Sequence, residues 1–169
     1  MRQGGKSEKM NVRKTRPEDL ERVMELYAEA RAFMKRTGNP NQWKDSHPAE
    51  SLIRRDIEEG IGYVLEEEGQ IAAAFMFRIG EDPTYRVIED GEWLREGPYG
   101  VIHRITAWNK SRGAASECMK WCFEQCANLR CDTHQDNKIM QHVLEKNGFK
   151  RCGVIYLENG EPRIAYQKV

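Results

Sequence analysis

Apolar residues recur every three to four positions along the first third of the chain, which predicts an amphipathic helix. The members of its apolar face are Leu20, Val23, Met24, Tyr27, Ala30 and Met34. Thr15 and Glu18 have the spacing of a capping box, so the helix is expected to begin there and to end at Gly38. Residues 11–14 are predicted to form a short strand before it, and residues 48–59 a second, more polar helix.

The apolar pattern then changes to runs that are typical of strands. The runs 63–65 and 71–77 flank the acidic stretch 66–69 and predict a β-hairpin. Segment 80–98 has no clear period, and an irregular stretch of this length in a small domain is usually functional. After it the pattern predicts a strand, a helix, a strand, a helix and two final strands, over 99–107, 113–127, 129–133, 137–146, 149–157 and 163–167. Asn159-Gly160 is expected to form the last hairpin turn.

The predicted order of elements is therefore β-α-α-β-β-β-α-β-α-β-β. The 169 residues are enough for one domain with one substantial hydrophobic core. We expect a flexible N-terminal tail over residues 1–10 and a single domain over residues 11–169.

The charge of the chain is balanced, with 27 lysine and arginine residues against 27 aspartate and glutamate residues. A nucleic-acid-binding surface usually shows an excess of basic residues, so this balance argues against bulk binding to DNA or RNA. No run approaches the roughly 20 apolar residues of a membrane helix, and the first ten residues lack the apolar run of a signal peptide. We therefore expect a cytoplasmic protein that binds neither nucleic acid nor membrane.

Five cysteines are crowded into one region of the chain, namely Cys118, Cys122, Cys126, Cys131 and Cys152. An odd, clustered set argues against an extracellular disulfide framework and favours a reducing compartment. The first three recur every four residues and so lie along one side of a helix. A buried core stripe is the prediction, because free cysteine is readily buried. A thiol-rich metal or redox site is the alternative, although zinc sites usually bring a second ligand pair from elsewhere.

The junction between the central strand and the next helix, residues 105–116, carries the most informative chemistry. The small residues 113–116 let a ligand approach the backbone, and the free N–H groups of a helix's first turn favour anions. Lys110 and Arg112 add positive charge. This pattern suits the oxygens of a diphosphate, but it also allows ordinary tight packing of helix on sheet. It matches neither the P-loop nor the dinucleotide-binding glycine motif.

In this context the segment resembles the acetyl-CoA loop of the GNAT superfamily of acyl-CoA-dependent N-acetyltransferases, which reads Gln/Arg-x-x-Gly-x-Gly/Ala. The run Lys110-Ser111-Arg112-Gly113-Ala114-Ala115 fits that loop, with lysine in the first position. The stretch from Asn137 to Phe149 is similar to the family's second signature, an asparagine that opens a helix ending in Gly-Phe. The resemblance spans about residues 11–168. It implies an α/β (α+β) fold with a mixed, mostly antiparallel sheet of six to seven strands and about four helices.

The resemblance also implies which residues hold acetyl-CoA, the co-substrate, and it implies no metal. The residues around the diphosphate would be Lys110, Ser111, Arg112, Gly113, Ala114 and Ala115, of which the last four act through their backbone amides. Ile105 and Ala107 would pair with the pantetheine amides and present an N–H group to the thioester oxygen. Asn137 would contact the pantetheine arm, or would act only as a helix N-cap.

The sequence departs from the family at one position. Many members carry a tyrosine in the last helix that protonates the departing CoA thiolate, and here the aligned residue is Leu144. A thiol leaves easily because its pKa lies near ~8.5, so activity does not require this acid. Tyr156, Tyr166 and solvent remain open as proton donors.

The acceptor amine must lose a proton before it attacks, and two histidines are candidates for the base. His103 lies two residues before Ile105 on the central strand, which predicts that both side chains share one face. His134 lies just past the next strand, in a segment similar to one in a subgroup of bacterial GNAT proteins of unassigned substrate. A histidine held by a neighbouring backbone carbonyl, and the acidic residues of segment 80–98, are the alternatives.

The acceptor pocket implied by the resemblance lies between the first two helices and the loop before the central strand. There, Trp43, Tyr85, Glu89 and Trp93 combine aromatic rings with a carboxylate that suits a cationic amine. The alternative is that the tryptophans only anchor long loops.

These residues lead to one predicted function and two alternatives. The prediction is direct transfer of an acetyl group to a primary amine of a small molecule or peptide in a ternary complex. The alternatives are a catalytically silent acyl-CoA binder and the thiol-rich metal or redox module. A homodimer stays open.

Overall fold

The computed structural model describes residues 10–169, which form one seven-stranded sheet flanked by helices. The strands are β1 Met10–Lys14, β2 Gly62–Glu67, β3 Gln70–Ile79, β4 Gly100–Ala107, β5 Leu129–Thr133, β6 Lys150–Tyr156 and β7 Pro162–Lys168. The helices are α1 Leu20–Arg36, α2 Glu50–Glu59, α3 Ala114–Gln125 and α4 Lys138–Lys146. The predicted order of elements and the fold class are confirmed. Apart from Met10, which begins β1, the predicted tail lies outside the described residues.

The strands are arranged in the order β1-β2-β3-β4-β5-β7-β6, and every neighbouring pair is antiparallel except β4 and β5. Those two strands pair only at their beginnings, where Gly100 faces Leu129 and Val101 faces Arg130. Beyond that point they separate, so the sheet opens into a gap in its middle.

A β-bulge in β4 accompanies this separation. Met76 of β3 faces His103 and Ala74 faces Thr106, so a single residue of β3 spans Arg104 and Ile105. Arg104 has a positive φ of 56°, and its carbonyl accepts a hydrogen bond from the hydroxyl of Tyr27 on α1, at 2.7 Å.

The bulge overturns the prediction that His103 and Ile105 share a face. Ile105 packs with Ile102 against the main core, whereas the ring of His103 lies 6.1 Å from that of Tyr85 in segment 80–98. An extra residue breaks the two-residue alternation of a strand, and no periodic pattern in the sequence reports it.

The cysteine stripe on α3 packs into the core as predicted. Cys118 and Cys122 are fully buried between the helix and the sheet, and Cys126 is half-buried. Burial raises the pKa of both buried thiols, which keeps them protonated and unreactive. Within residues 10–169 the acidic, histidine and cysteine side chains form no group of three that suits a metal.

The start of α1 differs from the prediction. Residues Pro17–Asp19 form a 3-10 turn before α1, and the carboxylate of Asp19, rather than that of Glu18, accepts the N–H of Arg16, at 2.7 Å. The guanidinium of Arg13 also pairs with the carboxylate of Asp19, at 2.8 Å.

In the last hairpin Gly160 has φ 88° and the carboxamide oxygen of Asn159 accepts the N–H of Glu161, so the turn closes as predicted.

Segment 80–98 is attached to the sheet edge and does not project freely. It contains a 3-10 turn, Pro83–Tyr85, and Glu89 forms a two-bond antiparallel bridge with Val154 of β6. A Cβ atom at Gly153 would lie 2.5 Å from the carbonyl oxygen of Glu89, so this close approach needs glycine. None of the described helices combines the length and the apolar character that a bilayer span requires.

Candidate active site

A cavity of about 460 Å³ passes through the gap between β4 and β5, and we call it the central cavity. On the helix side it is lined by Met119, Met140 and Leu144. In the gap it is lined by Ile102, His103, Arg104, Ile105, Cys131, Asp132 and Thr133. At its other end, which we call the acceptor end, it is lined by Trp43, Lys44, His47, Asp82, Asn159, Glu161 and Arg163, among others.

The strand β4 presents unpaired backbone groups to this gap. The N–H of Trp108 donates to Ala72 on the β3 side, at 2.8 Å. Because backbone groups alternate along a strand, those of Ala107 point to the opposite side, where β5 has already separated from β4. Ile105 belongs to the bulge, where this alternation is broken. An extended, amide-bearing ligand in the gap would therefore find the hydrogen-bond partners that a further strand would use.

The turn before α3 is open, as an anion site requires. Gly113 has φ 81°, and a Cβ atom built on it would meet nothing within 4 Å. Within residues 10–169 the N–H groups of 112–116 find no acceptor. The side chains beside the turn are committed elsewhere, since the hydroxyl of Ser111 donates to Glu67 at 2.6 Å and the ammonium of Lys110 lies 5.8 Å from the ring of Trp108. Backbone N–H groups and the helix dipole are therefore the features of this turn that suit a diphosphate.

A hydrogen-bonded Asp–His pair lies at the acceptor end. Nε2 of His103 is 2.8 Å from a carboxylate oxygen of Asp82, and the hydroxyl and N–H of Thr84 both donate to the other oxygen, at 2.7 and 2.9 Å. Burial works to raise the pKa of Asp82, but the hydrogen bonds from His103 and Thr84 outweigh it and lower that pKa. An ionised carboxylate only accepts, so the proton of the neutral imidazole lies on Nε2 and Nδ1 is left as the basic nitrogen.

Comparison with known proteins identifies the family. A family model described as acetyltransferase (GNAT) domain matches residues 9–150, most of the chain. The chain belongs to the GNAT acetyltransferase family. Its membership makes it an acyl-CoA-dependent acetyltransferase, and acetyl-CoA is the acyl donor that this family uses.

Solved structures agree with this assignment. A GNAT-family acetyltransferase from Streptococcus agalactiae is 34% identical, with a TM-score of 0.87 and 95% of each chain covered. One from Listeria monocytogenes is 22% identical, with a TM-score of 0.68 and 94% of each chain covered. Arabidopsis thaliana Naa50, solved with the bisubstrate analogue CoA-Ac-MVNAL, is 13% identical, with a TM-score of 0.59 over 95% of this chain and 99% of its own. At these lower identities the last two show the fold alone. Comparison with curated proteins gives no match.

The second histidine candidate of this GNAT domain is held by the backbone. Nδ1 of His134 accepts the N–H of Asp136 at 3.0 Å, and the ring is not among the groups that line the central cavity. Burial and the positive charge of Arg163 lower the pKa of His134. The backbone thus holds His134 through an N–H group, and not through the carbonyl that the alternative had predicted.

Asn137 acts as the N-cap of α4, because its side-chain oxygen accepts the N–H of Met140 at 3.0 Å. Its amide nitrogen also donates to Gln42, at 2.9 Å, across the central cavity. The cap was one of the two predicted roles. The contact with Gln42 joins α4 to the loop 37–49 and was not foreseen.

The candidates for the proton donor lie outside the central cavity. Tyr166 is fully buried, its hydroxyl faces Glu145 at 3.5 Å, and burial together with Glu145 raises its pKa to about 12. Tyr156 lies exposed on the edge strand, where Glu89 raises its pKa. Leu144 does line the cavity, so an apolar side chain occupies the wall where the family resemblance would have put a tyrosine.

Three of the four predicted acceptor residues do not line the central cavity. Tyr85 is buried and donates through its hydroxyl to Asp132, at 2.7 Å, while Trp93 donates to the carbonyl of Tyr85, at 3.0 Å. Glu89 pairs with β6. Only Trp43 lines the cavity, packed against the ring of Tyr27.

A buried arginine explains this arrangement. The guanidinium carbon of Arg130 lies 4.1 Å from the ring centres of both Trp93 and Tyr99, so these aromatic rings anchor segment 80–98 to β5. The loop-anchoring alternative fits Trp93. In the sequence, the signal for this anchoring is an arginine inside the predicted strand 129–133, at Arg130.

Proposed function

We propose that this GNAT domain transfers an acetyl group from acetyl-CoA to a primary amine of a small molecule or peptide, by direct attack in a ternary complex. The supporting observation is that one cavity joins the open gap between β4 and β5 to the Asp82–His103 pair at the acceptor end. A donor that enters along the helix side and an acceptor that enters from the other side would meet in that gap.

The described residues fit acetyl-CoA at both ends of the gap. The free N–H groups of 112–116 would hold the diphosphate, and the backbone of Ile105 and Ala107 would hold the pantetheine arm. Asn137, at the start of α4, would contact the arm through its side-chain amide nitrogen, which at present donates to Gln42. When bound, acetyl-CoA supplies an acyl group activated as a thioester.

The Asp82–His103 pair supplies the base. Nδ1 of His103 accepts the proton of the acceptor ammonium, and Asp82 stabilises the imidazolium that results while it holds the ring in place. The scheme needs no tyrosine acid, because a thiolate leaves readily and can take its proton from solvent.

Turnover against a panel of primary amines tests the proposal. Release of CoA is followed by chromatography, since a thiol-reactive dye would also report the protein's own cysteines. The expected result is CoA release that depends on both enzyme and amine, with an acetylated product of matching amount.

The silent-binder alternative, which Leu144 favours, predicts a different pair of outcomes. Acetyl-CoA at a hundred times its Kd should stabilise the fold by about 2.7 kcal/mol in either case. Stabilisation with no turnover on any amine would support the binder, and no stabilisation at millimolar acetyl-CoA would exclude both.

A further inference from the structure

The acceptor end of the central cavity holds a buried arginine that the mechanism does not use. The side chain of Arg163, on β7, is 5% exposed and lines the cavity. One of its nitrogens lies 3.3 Å from Glu161, and another donates to the carbonyl of Pro162, at 2.9 Å. A buried guanidinium usually pairs closely with a carboxylate, and a 3.3 Å contact with one carboxylate oxygen is a loose version of that pair.

Glu161 also serves a second cation. The ammonium of Lys44, in the loop 37–49, lies 3.4 Å from the other oxygen of Glu161. The side chain of Glu161 is 35% exposed and that of Lys44 is 61% exposed. Solvent therefore screens this ion pair, and it contributes little to the stability of the fold. Two cations thus share one carboxylate near the mouth of the cavity.

The other carboxylates of the cavity are already engaged. Asp82 accepts from His103 and twice from Thr84, and Asp132 accepts from the hydroxyl of Tyr85. Arg104 adds a further positive charge, although it is paired with Asp56 at 2.5 Å.

The ring of His47 lies close enough to several of these positive charges for them to affect its pKa. Burial is the main cause that lowers the pKa of His47, and the positive charges of Arg104, His103, Arg31 and Arg163 lower it further. The lining of the central cavity thus holds three cations, Lys44, Arg104 and Arg163, beside its carboxylates, and a pocket for a purely cationic amine does not need them.

We propose that the acceptor is an amino acid or a close derivative, in which a carboxylate on the same small molecule as the reacting amine is bound by Arg163 and Lys44. This inference rests on the proposed function. The incoming carboxylate replaces Glu161 as the closer partner of the two cations, and a bidentate contact with the arginine fork places the amine toward Nδ1 of His103.

Matched pairs of amines test it, each pair differing only in the carboxylate: lysine and cadaverine, ornithine and putrescine, tyrosine and tyramine. The measured quantity is the ratio of kcat/KM for the amino acid to kcat/KM for its decarboxylated partner. We expect at least one pair to favour the amino acid by roughly ten- to hundredfold, the size of a charge-assisted contact.

Variants then assign the contact to its residues. Lys44→Gln and Arg163→Gln should each reduce the ratio toward one, mainly through KM, and Arg163→Lys should keep part of it. Arg151→Gln is the matched control, because Arg151 is an exposed arginine on β6 that does not line the cavity. Since Arg163 is buried, Lys44→Gln keeps the test decisive if Arg163→Gln does not fold.

The outcomes separate the two proposals. Equal or better turnover of the decarboxylated amines, or a ratio that Lys44→Gln and Arg163→Lys leave unchanged, overturns the carboxylate assignment and leaves acetyl transfer intact. If no amine turns over, the proposed function fails, and calorimetric binding of the same pairs to the CoA-loaded protein still decides the assignment. Preferential binding of the amino acids would support it, and equal binding would reject it.

Discussion

The Asp82→Asn variant tests the assignment of His103 as the base. Asp82 is expected to stabilise the imidazolium that forms when Nδ1 takes a proton from the acceptor amine. Asparagine has nearly the same shape but no charge, so the ring can stay in place while the imidazolium loses its counter-ion. The rate should therefore fall.

The size of the effect follows from the geometry. Two unit charges with centres about 4 Å apart attract by about 4 kcal/mol at an effective dielectric constant of roughly 20. The side chains of His103 and Asp82 are 26% and 10% exposed, and water screens part of this attraction. If roughly a third to three quarters of the attraction remains after screening, its loss costs roughly 1.4–3 kcal/mol. That free energy corresponds to a decrease of about ten- to a hundredfold in kcat/KM.

The assay is steady-state kcat/KM between pH 5.5 and 9.5 for one accepted amine, with melting temperatures to confirm folding. His103→Ala should flatten the acidic limb of the profile. Adding Asp82→Asn to that variant should cause little further loss of rate, because both changes remove the same Asp82–His103 pair. Asp136→Asn is the matched control, since its carboxylate lies 3.7 Å from Nδ1 of His134, a pair outside the cavity. An unchanged rate in Asp82→Asn, or an equal loss in Asp136→Asn, would refute the assignment.

Two further predictions address the donor side of the site. Gly113→Ala and Gly97→Ala place a Cβ atom at φ 81° and 93° with nothing within 4 Å, so each should cost about 1 kcal/mol, or roughly 2–4 °C in Tm. Calorimetry should show a weaker affinity for acetyl-CoA only in Gly113→Ala, and equal affinities in both variants would exclude the turn as the diphosphate site. Tyr166→Phe should keep kcat within about twofold, because its hydroxyl faces Glu145 outside the cavity. A tenfold drop in kcat with normal folding would show that this tyrosine takes part in proton transfer.

Most of the fold could be predicted from the sequence because its elements carry periodic or capping signals. The apolar face of α1, the cysteine stripe of α3 and the glycines that end helices are local features, and each appears within about one turn of the element it defines. The turn around Gly113 is local in the same sense, so its place between a strand and a helix was predicted, whereas the pattern left open whether it binds an anion or packs tightly.

The acceptor end could be predicted only in part, at Trp43 and His103, because its other residues come from distant parts of the chain. Lys44 and Glu161 are 117 positions apart, and neither carries a signal that indicates the other. Asp82 belongs to the acidic residues that were considered, but its partner His103 could be recognised only after the turn Pro83–Tyr85 was placed against β4. Trp93 shows the reverse error, since an aromatic residue beside acids suggests an amine site until the buried Arg130 is found under it.

The bulge at Arg104 connects these two halves of the site. It directs the carbonyl of Arg104 to Tyr27 on α1 and lies where β4 separates from β5, which opens the gap. It also changes the alternation of β4, so that Ile105 packs with the core while His103 faces Asp82. Without the extra residue the two side chains would share one face, so His103 could not face Asp82 while Ile105 packs with the core. One irregular residue thus places the gap proposed for the thioester next to the base proposed for the amine, which is the arrangement that direct transfer would require.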